Sequence, residues 1–73
     1  MNEVTAFMFY MYNKWNIEES IKVFGQNLGE HIYRKWQRAW EDEHDSNLWF
    51  YSQLDSACRS LLVERANFWY NHG

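Results

Sequence analysis

The chain has 73 residues, a formal net charge of -3 and 21% aromatic side chains, five each of Phe, Tyr and Trp. That length allows one core, which removes only about 60% of the unfolded surface from water, and the lone Cys58 excludes an internal disulfide, so aromatic burial or oligomerisation has to compensate. The charge supplies no overall attraction for a phosphate backbone, and no stretch reaches the roughly 18 to 20 apolar residues of a membrane span.

The opening residues show neither the basic start nor the cleavage site of a signal peptide, and with one unpaired cysteine the chain is expected in a reducing cytoplasm. Val4 to Tyr12 is the most apolar segment and suits a helix or a strand. A helix is preferred, because a lone strand among helices would expose an unpaired edge. Val4, Phe7, Met8, Met11 and Trp15 then form one stripe, and Phe9, Tyr10 and Tyr12 make the helix apolar around most of its circumference. Such a helix is buried on more than one side. It is either a core helix or, through Phe7, Phe9, Tyr10 and Tyr12, the interface of a two-fold homodimer.

Asn16-Ile17-Glu18-Glu19 has the form of a capping box, with Asn16 accepting from the Glu19 amide and Glu19 reaching back. Ile17, Ile21 and Phe24 make a short inward face, and Gly25 can end the helix in a left-handed conformation. Asn27 with Glu30 is a second candidate N-cap pair. It opens a central helix whose residues Leu28, Ile32, Trp36 and Ala39/Trp40 recur at helical spacing, with Trp36 the expected core anchor. His31, Arg34, Lys35 and Arg38 lie off that stripe. The helix is expected to end in Glu41-Asp42-Glu43-His44-Asp45, whose carboxylates oppose the helix dipole except as Arg38 and Asp42, four apart, offset one another. Asp45 or Ser46 then caps a last helix from about Asn47 to Tyr70, roughly 35 Å long. Phe50, Leu54, Ala57, Leu61 and Phe68 line one side of it, and Tyr51, Cys58, Leu62, Ala66 and Trp69 an adjoining one. With no proline, linker or repeat, residues 1-73 read as a single all-α domain, a bundle of three or four helices.

The pair of helices over 17-40 has the outline of a helix-turn-helix whose second helix bears His31, Arg34, Lys35 and Arg38. Its spacing departs from the DNA-reading motif, with about one residue more before Ile32 and a glycine where base contacts are expected. A solvated basic face is therefore preferred over DNA binding. His31, His44, His72, Cys58 and the pair Glu41-x-x-His44 lack the paired ligand spacings of metal sites, so no metal or cofactor is expected. Cys58 reads as a small buried hydrophobe. Neither it nor Ser56 has a neighbouring base, and there is no Gly-rich phosphate loop, so the protein is expected to be non-enzymatic. Glu41, Asp42, Glu43 and Asp45, with Glu18, Glu19 and Asp55, form either an ordinary solvated exterior or a negative patch that engages a basic groove on another protein. The composite expectation is a small protein-protein interaction module, such as a phage or mobile-element accessory protein or inhibitor, acting through that patch and exposed aromatics. The alternative is a small DNA-binding regulator.

Overall fold

Asparagines open the first two helices as the composition of their caps requires. Asn2 accepts from the Val4 amide at 2.8 Å and Asn16 from the Glu19 amide at 2.9 Å, each satisfying a helix-start donor that has no partner within the helix. The computed structural model describes residues 2-41 and 46-72, apart from the side chains of Trp40 and Ser46. Among them are five helices: α1 Glu3–Asn13, α2 Ile17–Phe24, α3 Gln26–Glu41, α4 Ser46–Gln53 and α5 Ser56–His72. The small all-helical bundle is therefore present, with five helices where three or four were expected.

The extra helix comes from a break at Leu54-Asp55 in what reads as one long helix. Asp55 caps α5 by accepting from the Cys58 amide at 2.9 Å. Arg59 reaches back to donate to the carbonyls of Leu54 at 3.0 Å and Ser52 at 3.5 Å, closing the end of α4, and lies over the Tyr51 ring at 5.0 Å. Both pieces keep an inward face, since Phe50 and Leu54 before the break and Leu62 and Ala66 after it are buried. That continuity of apolar positions is why periodicity alone misses the break.

α1 packs along α5, α2 against α3 and α5, and α3 against α4. Trp15, in the link between α1 and α2, is the hub of an aromatic layer. Its ring lies 6.0 Å from Tyr10, 6.0 Å from Tyr33, 6.4 Å from Trp36 and 6.1 Å from Phe50, distances at which offset and edge contacts stabilise. Phe7 extends the layer to Tyr51, edge-on at 4.9 Å. Phe7 and Tyr10 are fully buried here, so two of the four residues offered for a dimer face are core. Only Phe9, half-buried against Tyr70, and exposed Tyr12 reach the surface.

The stripe that α3 buries also differs from expectation. Leu28 is 43% exposed, and the inward positions are Gly29, Ile32, Trp36 and Ala39, with Trp36 half-buried at the core's edge and donating from Nε1 to Asn47 Oδ1 at 3.0 Å. The cause is the corner before it. One residue, Gly25, joins α2 to α3; its φ of 87° is reached at little cost only by glycine. Its N–H donates to the Ile21 carbonyl at 2.7 Å and its own carbonyl accepts from the Gly29 amide at 2.8 Å, so Gly25 takes the place at the head of α3 expected of Asn27. The helices then meet at Gly29, whose carbonyl accepts from Ser20 Oγ at 2.6 Å.

A Cβ added at Gly29 would stand 2.6 Å from Ile21 Cα and 2.8 Å from both Ile21 N and the Ser20 carbonyl, all backbone atoms that cannot swing aside. Gly29→Ala is expected to destabilise the protein by about 1–3 kcal/mol or more, as overpacking of a well-packed contact does. Exposed Gln26→Ala should stay within about 0.5 kcal/mol of the parent. Urea unfolding midpoints compare the two; an unchanged midpoint for Gly29→Ala would mean that the helices do not touch there.

Candidate functional site

Only half of the predicted capping box forms. The Asn16 side chain caps Glu19, but the Glu19 carboxylate turns inward instead of reaching back and is 7% exposed, which corrects its expected place on the exterior. Its Oε1 accepts from the Tyr10 hydroxyl at 3.1 Å, from Arg65 Nε at 3.0 Å and from Trp69 Nε1 at 3.1 Å. Its Oε2 accepts from Arg65 Nη2 at 3.2 Å, with Lys22 Nζ 3.8 Å away. Arg65 and Trp69 are four residues apart on α5, which sets both donors on one face.

Burial pushes the Glu19 carboxyl up, but the hydrogen bonds from Arg65, Trp69 and Tyr10 outweigh it and hold the group below its usual range. Burial, then the Glu19 charge, pushes the Tyr10 phenol up. Its hydrogen bonds with Glu19 hold Arg65 still more firmly protonated. The cluster is thus fixed as carboxylate, phenol and guanidinium, with both carboxylate oxygens occupied. Such a group anchors a fold, and a carboxylate held below its usual range by Arg65, Trp69 and Tyr10 is a weak base toward a substrate proton.

The candidate surfaces lie elsewhere. His31, Arg34, Lys35 and Arg38 are all exposed, at spacings that share one side of α3. The one-residue joint at Gly25 differs from the three- or four-residue turn of a DNA-reading pair, and the first turn of α3 is pressed on α2 at Gly29. Of the acidic run, Glu41 is exposed; Asp42, Glu43 and Asp45 lie outside the described residues, as do His44, the Arg38 and Asp42 pair and the Asp45 cap. Cys58 is half-buried, and its thiol is pushed up by burial and then by the Asp55 charge, the opposite of an activated nucleophile. Among the described residues no three His, Cys, Asp or Glu side chains gather at one point, and no helix is long and apolar enough to cross a membrane.

Two concavities bring exposed apolar and charged groups together. A cleft of about 160 Å³ between α3 and α4 is lined by Lys35, Arg38, Trp49, Phe50, Gln53 and Leu54. A groove of about 320 Å³ between α2 and α5 is lined by Lys22, Val23, Leu61, Glu64, Arg65 and Phe68. The basic residues are legible in the sequence as a face, but their neighbours Trp49 and Gln53 are not, and Leu61 and Phe68, which periodicity puts on one apolar side with Phe50 and Leu54, are exposed. The signal that would have found them is Asp55, a good N-cap residue in mid-pattern, which divides the long helix and frees each half to turn independently. Comparison with known protein families, curated proteins and solved structures finds nothing that matches this chain.

The Glu19 cluster generates a test in acid. Glu19 titrates lower in the folded chain than at its ordinary 4.5. Its contribution is therefore complete above that value and is lost as pH falls through the lower folded value. Glu19→Gln should remove this residue's share of the acid loss, read as a flatter dependence of the urea midpoint on pH. Arg65→Met leaves the buried carboxylate without its main partner. At neutral pH it should cost near the lower end of about 3–5 kcal/mol, because Arg65 is 29% exposed. A parent-like midpoint in Arg65→Met would show that the pair does not hold α5 to α2.

Proposed function

We propose that the protein is a small non-enzymatic protein-protein interaction module. The observation that carries this reading is the groove between α2 and α5, where Leu61 and Phe68 are 45% and 48% exposed beside the charged Lys22, Glu64 and Arg65. Apolar side chains of this size, left uncovered by folding and rimmed by charge, mark partner-binding surface. Exposed Tyr12, Trp49 and Tyr70 add to the aromatic surface from which interface hot spots are drawn. In this reading the acidic run from Glu41 steers a partner with a basic surface, a role suited to a cytoplasmic accessory or inhibitor protein of a phage or mobile element. Self-association would draw on Phe9 and Tyr12. A small DNA-binding regulator is the alternative, supported by the shared exposure of His31, Arg34, Lys35 and Arg38.

The reading is tested by capturing partners from the source cell with the immobilised protein and with Leu61→Ser/Phe68→Ser. The double variant should fold as the parent does and lose the captured protein, since truncating a hot spot costs about 2 kcal/mol or more, roughly thirtyfold in Kd. Undiminished capture would remove the groove from the binding face. Neutralising Glu41, Asp42, Glu43 and Asp45 should slow association and weaken its salt dependence. If those changes instead tighten binding to duplex DNA, and neutral Arg34, Lys35 and Arg38 abolish it, the regulator reading replaces this one.

A further inference from the structure

We propose that the cleft between α3 and α4 is a docking site for a short acidic-apolar segment of a partner protein, one large aliphatic or aromatic side chain flanked by carboxylates. This rests on the reading of the chain as an interaction module and adds the chemistry of the segment it takes. The floor of the cleft is Phe50 and Leu54, 1% and 5% exposed, and its wall includes Trp49, 36% exposed. A pocket of about 160 Å³ with such a lining selects one bulky apolar group.

The mouth of the cleft has the opposite character. Lys35 and Arg38 are both exposed, stand three residues apart on one side of α3, and line the cleft together with the Gln53 amide. Among the described residues neither has a carboxylate within ion-pair distance. Asp55 feels the Lys35 charge, but its own carboxylate is committed to the Cys58 amide. Two cations at the mouth of an apolar pocket complement a segment that presents carboxylates on either side of the inserted residue, with Arg38 able to take one in two parallel hydrogen bonds.

A nucleic acid fits less well. Single strands need successive ring faces on which bases stack along a continuous basic track, whereas of the two rings lining the cleft Trp49 is partly exposed and Phe50 is buried among Phe7 and Trp15, and exposed Glu41 follows Arg38 by one turn. The acidic-apolar segment uses both halves of the cleft, so removing either half of its chemistry should weaken it.

The probe is a labelled synthetic peptide in which Leu and Phe alternate with Glu, titrated with the full chain and followed by fluorescence anisotropy. Its controls are a Glu→Gln peptide, a peptide with Ser in place of Leu and Phe, and an oligo-dT of matched charge. The acidic-apolar peptide is expected to bind, to weaken as salt rises, and to lose about tenfold in affinity to Lys35→Gln/Arg38→Gln, two exposed changes that leave the core intact. Amide chemical shifts should move at residues of α3 and α4 that line the cleft.

Equal binding of the Ser peptide would reduce the site to unspecific charge attraction and overturn the proposal. Tighter binding of oligo-dT would replace the peptide with nucleic acid, and shifts confined to α2 and α5 would move the site to the other groove. A dimer in sedimentation that the peptide dissociates would identify the occupant as a second copy. If no peptide binds while Leu61→Ser/Phe68→Ser still abolishes partner capture, the cleft fails and the interaction module stands.

Discussion

A single buried carboxylate sets the terms on which three helices meet. Glu19 leaves water at a cost that no apolar contact can repay, and the donors that repay it come from α1 through Tyr10 and from α5 through Arg65 and Trp69. A slide of any of these helices by one turn would strand the charge. Hydrophobic burial is non-directional and tolerates many arrangements of a small aromatic-rich chain, whereas a carboxylate satisfied by donors from fixed positions tolerates few. Replacing such a group and its partners together with apolar residues often leaves stability unchanged, whereas removing one partner strands the buried charge at a large cost.

The second constraint is steric. Because Gly25 turns the chain in one residue and Gly29 lets α3 approach α2 at backbone distance, the roll of α3 about its axis follows from two missing side chains. That roll places Ile32 and Ala39 inside, leaves Leu28 outside, and presents His31, Arg34, Lys35 and Arg38 together on the surface. The basic face and the mouth of the cleft beside α4 are consequences of how tightly two glycines allow helices to pack.

The aromatic side chains divide between these demands. Rings around Trp15 fill the layer shared by α1, α3 and α4, in a chain too short to build a large aliphatic core. Others cover charged groups: Lys14 lies over the Trp69 ring at 4.8 Å, and Arg65 stacks near both Phe68 and Trp69. Of those that remain at the surface, Trp49 lines one of the concavities in which recognition is proposed and Phe68, with Leu61, the other.

Local chemistry was legible in the sequence wherever a few adjacent residues suffice. The Asn16 cap, the glycine that ends α2, the all-helical character and the exposed cationic side of α3 each follow from propensity, capping or period. What escaped depends on residues distant in the chain. Glu19 reads as the second half of a capping box until Arg65 and Trp69, 46 and 50 positions later, draw it inward. The helix break at Asp55 is hidden because both halves bury the same apolar rhythm, and the two are separated by the Asp55 cap on α5 and the closing contacts of Arg59 on α4. Periodicity states which residues share a face but not which face is covered, because that depends on how closely the neighbouring backbone can come. Gly29 decided it for α3, and tertiary contact alone could make that choice.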